Sequence, residues 1–138
     1  MIILDTNVLS EFVRPEPSER VTRWLDSHRR SVLAITAVTA FEMLYGVAKL
    51  PGGQRRRRFG AAVAAQLADF AERVLPFDAE AAAHAAELTA SRRASGRPIA
   101  VPDAQIAAIA RSRGCVLATR NTRDFAATGV ELIDPWQA

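Results

Sequence analysis

The 138-residue chain contains one cysteine, one tyrosine, two histidines and a single lysine, and it has no long hydrophobic run. Each scarcity excludes something. A lone Cys115 cannot close an internal disulfide. Its setting in Cys115-Val116-Leu117-Ala118 suits a buried, inert thiol of the kind a reducing compartment permits. His28 and His84 have no partner at the spacing of a zinc site, and His84, in an alanine-rich stretch, reads as a satisfied structural residue. No apolar stretch approaches the ~20 residues that cross a bilayer. The opening Met-Ile-Ile-Leu-Asp has neither the basic region nor the cleavage site of a signal peptide. These absences predict a soluble, cytoplasmic protein. No glycine-rich turn follows the first apolar run, which disfavours a dinucleotide-binding enzyme.

Lysine is scarce but positive charge is not. Lysine and arginine total 18, with Lys49 the only lysine, and the net charge is +3. Arginine pairs bidentately with phosphates and carboxylates, so this usage suits an anionic partner. Arginine and alanine abundance also follows genomic base composition, and both readings stand at this stage.

Apolar residues make up 49% of the chain, enough for one buried core and too many for a disordered chain. No repeat, low-complexity tract or linker divides it, so residues 1–138 read as one domain. Short apolar runs occur at Ile2-Ile3-Leu4, Val32-Leu33-Ala34-Ile35, Val74-Leu75, Cys115 to Ala118 and Val130 to Ile133. Most are apolar throughout rather than alternately, the pattern of a parallel sheet covered on both faces. Helical spacing appears between them. One helix is predicted from Ser18 to about His28 and another along the stripe Val38, Phe41, Tyr45 and Ala48, ending near Pro51-Gly52-Gly53. Further helices are expected from Arg55 to Arg73, from an Asp78 cap to before Gly96, and from Asp103 to Arg113, stopping at Gly114. Strands alternating with helices predict an α/β sandwich.

Ligands of an open parallel sheet bind beyond the carboxyl ends of its strands. Asp5 lies directly after the first run, and Thr119 to Asp124 lies directly after the Cys115 run. Glu42 shares the apolar stripe of its helix, and a carboxylate on a buried face is costly unless paired or metal-bound. A capping box closed by Thr39 also explains Glu42, whereas a cap at Thr36 would move it to the second turn. Asp103 follows Pro102 and reads as the residue that starts its helix, a role compatible with ligation. Asp5 can likewise be a helix cap and Asp124 a solvated loop acid. If the four converge, their mutual repulsion calls for a hard cation such as Mg²⁺ or Mn²⁺, which oxygen ligands suit. Residue spacing alone reaches a possible metal–carboxylate site.

Four motifs go further. Met1-Ile-Ile-Leu-Asp5-Thr6-Asn7-Val8-Leu9-Ser10-Glu11 resembles the opening of PIN-domain proteins, with the strongest similarity to VapC-like toxins of toxin–antitoxin pairs, including the FitB-like branch. Thr39-Ala-Phe-Glu42-Met-Leu-Tyr45-Gly46-Val47, Gly96-Arg-Pro98-Ile99 with Pro102-Asp103-Ala-Gln-Ile106-Ala-Ala, and Ala118-Thr119-Arg120-Asn121-Thr122-Arg123-Asp124-Phe125 follow in order. The resemblance implies a three-layer α/β/α sandwich with a five-stranded parallel sheet. It implies a Mg²⁺- or Mn²⁺-dependent ribonuclease, held in check by a cognate antitoxin and commonly a homodimer. Operator DNA would be bound only as the complex with antitoxin. Carried over by position, Asp5 and Asp103 are the expected direct metal ligands, with Glu42 and Asp124 completing the cluster directly or through water. Thr6, Asn7, Thr119 and Asn121 are candidates for orienting the acids or the water.

Arg55-Arg56-Arg57-Arg58 sits at a helix start, where the helix dipole opposes cations. RNA phosphates, an acidic antitoxin segment and a solvated face are all open readings for it. Trp24, Trp136 and the apolar stripes read as core or dimer contacts. The main alternative is a non-cleaving PIN-like binding module that acts through antitoxin and operator contacts. A phosphoryl-transfer enzyme with a strand-end Asp nucleophile fits less well, because such enzymes place a second Asp where this chain has Asn7.

Overall fold

The computed structural model describes all residues, 1–138. Ile2–Leu4 (β1) is continuously apolar and lies at the centre of a five-stranded sheet. The others are Leu33–Thr36 (β2), Val74–Leu75 (β3), Val116–Ala118 (β4) and Leu132–Ile133 (β5). The order is β3-β2-β1-β4-β5, and every neighbouring pair is parallel. Ile3 aligns with Ala34 on one side and Leu117 on the other. Alternate side chains enter opposite faces. Ile3 and Leu117 join a core with residues of the last two helices, whereas Leu4 and Ala118 join a second core on the other face. Both faces are therefore covered, which is the three-layer sandwich expected from the strand pattern.

The helices are Thr6–Glu11 (α1), Glu19–Asp26 (α2), Ala37–Ala48 (α3), Gln54–Asp69 (α4), Ala79–Ala94 (α5) and Val101–Arg113 (α6). None is long and apolar enough to cross a membrane. Their starts follow local chemistry. Ser18, Thr36 and Asp78 each accept a backbone N–H of the following first turn, and Gly114 ends α6 in the left-handed conformation at φ 63°. Trp24 and Trp136 pack against the second core.

Several expectations shift. The fourth helix stops at Asp69, not Arg73, because Phe70 leaves helical geometry to bury its ring and Val74 must pair with Ile35. β1 and β3 coincide with their apolar runs, whereas β2, β4 and β5 begin one or two residues later, since Val32, Cys115 and Val130 lie outside the strands. Asp103 does not start α6. Pro102 is accommodated in the first turn, where its missing N–H is not needed, so the helix begins at Val101 and Asp103 is its third residue. Of the predicted α3 stripe only Val38 packs against the core, and Phe41, Tyr45 and Ala48 are exposed. Thr39 and Met43 face inward, while Phe41, Leu44 and Tyr45 are 67%, 53% and 57% exposed. The Phe41 and Tyr45 rings lie parallel, 6.2 Å apart. The buried Nδ1 of His84 has no hydrogen-bond partner within the protein.

Candidate active site

Asp5 follows β1 and is 5% exposed. It is both a cap and more than a cap. Oδ1 accepts the Thr6 N–H at 2.8 Å, and Oδ2 accepts the Thr119 hydroxyl at 2.8 Å. Its backbone N–H continues the sheet ladder to Ala118 O at 2.9 Å, so the central strand fixes where the carboxylate begins. Burial pushes the Asp5 carboxyl above the ordinary carboxylate range. The Thr119 and Thr6 hydrogen bonds oppose this, and the charges of Glu42 and Asp124 add to it.

Glu42 lies in the second turn of α3, because Thr36 rather than Thr39 caps that helix. The capping box is therefore absent, and the exposure of Phe41 and Tyr45 shows that Glu42 does not sit on a buried stripe. It is half-buried, and the Thr6 hydroxyl donates to its Oε1 at 2.6 Å. Thr6 Oγ1 also lies 3.0 Å from Thr39 Oγ1, and the Thr36 hydroxyl donates to Thr39 at 3.4 Å. A run of threonine hydroxyls thus joins the first turns of α1 and α3. Sequence reading identified Thr6 but missed Thr36 and Thr39 as members of this network. Their spacing to Glu42 pointed only to capping.

Asp103, in the first turn of α6, is half-buried, and its carboxyl is pushed up from 3.8 to about 6. Burial is the largest cause, followed by the charges of Asp5, Asp124 and Glu42; Arg92 acts weakly in the opposite direction. Asp124, in the turn after β4, is exposed. The four acids come from four separate elements, and the other three all act on Asp103. No three acidic, histidine or cysteine side chains close into a ready-made coordination cage. The four carboxylates share one electrostatic field, each of the other three raising Asp103.

The predicted supporting residues are placed unequally. Thr119 is fully buried and central: it donates to Asp5 and accepts the Asn121 N–H at 3.0 Å. Asn7 bridges to it, with Nδ2 3.4 Å from Thr119 Oγ1 and Oδ1 accepting the Arg120 N–H at 3.3 Å. Asn121 contributes its backbone, while the residue itself is exposed. Arg55 to Arg58 are exposed on the first turns of α4 and form no ion pair within the chain. Arg55 and Arg58 instead line a groove of about 860 Å³ with Arg14 and Lys49. Arg92, which sequence reading passed over, is buried.

Chemically, the donor set is all oxygen. Two of its carboxylates are poorly solvated and have no arginine or lysine ion-pair partner. Such a set suits a hard divalent cation and does not suit zinc, since His28 and His84 lie elsewhere, on and after other helices.

Comparison with known proteins names the architecture. The sequence profile of the PIN domain matches residues 2–131. The chain belongs to the PIN-domain family. Among its relatives, this PIN protein is 41% identical over 138 residues to the VapC ribonuclease Y4jK of Sinorhizobium fredii, covering 99% of both chains. It is 39% identical over 137 residues to toxin FitB of Neisseria gonorrhoeae, again covering 99% of both. A solved structure of FitAB bound to an IR36 DNA fragment superposes with a TM-score of 0.92 at 41% identity, covering 99% of this chain and 96% of that one. The architecture of this PIN protein is therefore shared along the whole chain.

Proposed function

We propose that this chain is the toxin of a toxin–antitoxin pair and a ribonuclease that hydrolyses RNA phosphodiester bonds with Mg²⁺ or Mn²⁺. The observation that carries the reading is the field shared by Asp5, Glu42, Asp103 and Asp124 at the carboxyl edge of the sheet, with the Asp5 carboxyl raised, the Asp103 carboxyl pushed up to about 6, and neither in an ion pair. Asp5 and Asp103 are the direct ligands in this reading, with Glu42 and Asp124 completing the set directly or through water. When bound, the cation supplies charge stabilisation to a phosphate oxygen and to the leaving oxygen. The protein's own groups do the positioning. Thr119 and the Thr6 N–H hold the two Asp5 oxygens, so that carboxylate has one orientation. Thr6 fixes Glu42, and Asn7 with the Arg120 N–H keeps Thr119 in place. Such outer contacts commonly matter 10–100-fold for metal affinity or activity.

The relatives support the remaining parts. One is named a VapC ribonuclease and another a toxin, and a FitAB assembly is solved on DNA. By this reading the chain acts in the cytoplasm, is neutralised by a cognate antitoxin, and meets operator DNA only as part of that complex. Homodimerisation belongs to the same proposal, since Phe41, Leu44 and Tyr45 form a face that water solvates poorly.

The test is RNA cleavage by the purified protein with Mg²⁺ or Mn²⁺ and with chelator. Cleavage should require the metal, and Asp5→Asn should abolish it while keeping the native melting curve. A folded, metal-loaded wild type that leaves every RNA intact would favour the non-cleaving binding module.

A further inference from the structure

Arg92 is the only buried arginine or lysine in the chain, at 6% exposure. A buried guanidinium ordinarily faces a carboxylate. This one does not: the four ion pairs of the protein involve other arginines. Its N–H groups go to three backbone carbonyls. Nε donates to Arg97 O at 2.7 Å, while Nη1 donates to Asp124 O at 3.0 Å and Ala126 O at 2.9 Å. Two loops meet on this one side chain. The first carries Arg97 and leads into α6, whose first turn bears Asp103. The second follows β4 and contains Asp124 itself.

Neither acid has another anchor. The Asp103 and Asp124 side chains take part in no hydrogen bond or ion pair, in contrast to Asp5 and Glu42, which threonine hydroxyls hold. The positions of Asp103 and Asp124 thus depend on their backbones, and the shared fixed point of those backbones is Arg92. The second loop is also under strain. Ala127, next to an Arg92 acceptor, is the only non-glycine residue at positive φ, 59°, where L side chains are disfavoured. The buried Thr128 hydroxyl closes the same turn onto Phe125 O at 2.7 Å. Strain persists where the surroundings over-determine it, and here the guanidinium is part of those surroundings. Three aligned N–H donors reaching two loops are what an apolar side chain cannot supply.

We infer that Arg92 is a positioning residue that sets the Asp103 and Asp124 carboxylates relative to one another by tying the α5–α6 and β4–β5 loops to one buried guanidinium. This rests on the metal-nuclease reading above. The decisive variants are Arg92→Met, which keeps roughly the volume, and Arg92→Lys, which keeps the charge but gathers its donors on a single nitrogen in place of the planar fork. Both are compared with wild type by calorimetric titration of Mn²⁺ and by cleavage kinetics well below the melting temperature. The expected result is a Mn²⁺ affinity and a kcat each lowered about 10–100-fold in both variants, with KM for RNA unchanged. Combined with Asp124→Asn, Arg92→Met should lower Mn²⁺ affinity by clearly less than the product of the two separate losses, because one of the two carboxylates it positions is already neutral. If Arg92→Met does not fold, Arg92→Lys carries the comparison, together with Arg92→Ala supplemented with guanidinium ion, which should restore Mn²⁺ affinity where urea does not. A folded Arg92→Met or Arg92→Lys that binds Mn²⁺ like wild type would overturn the inference alone. Full additivity with Asp124→Asn would overturn it equally. A wild type that binds no Mn²⁺ would overturn the metal reading and this inference with it.

Discussion

Replacing Asp103 with Asn should make the metal-free protein more stable while depriving it of its metal response. The Asp103 carboxyl stands at about 6 in the folded chain against 3.8 when unperturbed. A folded-state value above the unfolded one means that this group favours the folded state fully below about pH 4. That contribution is lost as pH rises through about 6. A gap of about two pH units corresponds to ~3 kcal/mol. The side chain is only half-buried, and solvent screening reduces this to about 1–2 kcal/mol. Asn carries no charge at any pH, so Asp103→Asn should melt about 3–8 °C above wild type at pH 7.5 in chelator. The advantage should shrink at pH 4.5, where wild type is largely protonated at this position. Comparing the two pH values within each protein removes contributions that do not titrate, including the loss of an acid from the first turn of α6. Added Mn²⁺ at about a hundredfold excess over Kd should stabilise wild type by roughly 2.7 kcal/mol and the variant by little. Scanning calorimetry at both pH values, with chelator and with Mn²⁺, gives all four numbers. Equal melting temperatures in chelator at pH 7.5, or a gain that is the same at pH 4.5, would refute the claim that Asp103 sits among uncompensated carboxylates.

Thr6→Val keeps the shape of the side chain but removes the donor to Glu42, so cleavage should fall about 10–100-fold with little change in the melting curve. Unchanged cleavage would show that the hydroxyl run of Thr6, Thr39 and Thr36 serves folding only. Changing Arg55 to Arg58 to Gln should weaken RNA binding without removing chemistry, and should flatten the log–log salt dependence by roughly 0.7 for each phosphate no longer neutralised. A slope identical to wild type would assign these exposed cations to another role. Phe41→Asp with Tyr45→Asp should lower the sedimentation mass to that of one chain, and a mass unaffected by both changes would place any dimer interface elsewhere.

The framework was legible because its signals are local. Ile2-Ile3-Leu4 is apolar without interruption, which suits the central strand of a sheet covered on both faces, and Asp5 terminates it at the edge where ligands gather. Thr36, Ser18 and Asp78 announce helix starts through one side-chain oxygen each, and the structure places a backbone N–H on all three. What failed was whatever needed direction or distance. Phe41 and Tyr45 repeat at helical spacing, but periodicity does not say which face meets the sheet, and that face belongs to Thr39 and Met43. Asp103 looked like a helix start because Pro102 looked like a boundary, whereas proline is tolerated in the first turn. Arg92, beside Arg93 in the last turn of a helix, carries no local signal that sets it apart from the other arginines. Only the meeting of segments 32 residues apart buries it under the Asp124 loop. Each of the four acids stands out by its local position, but only motif resemblance joins them into one site, because no spacing rule links residues 5, 42, 103 and 124.

Asp5 depends on Thr119, a partner 114 residues away, and β1 obtains its second neighbour only when β4 exists. The edge that gathers the acids is therefore finished late in synthesis, although its first member is among the earliest residues made. A growing chain on the ribosome can form β1, α3 and their contacts while Thr119 and Asp124 have yet to be added. Such a chain has Asp5 without its hydroxyl donor and lacks one of the four charges altogether. Contacts of this sequence separation are closed last and at high entropic cost. A fragment truncated anywhere before Thr119 is thus left with an unassembled centre, however well its first strand and third helix have formed.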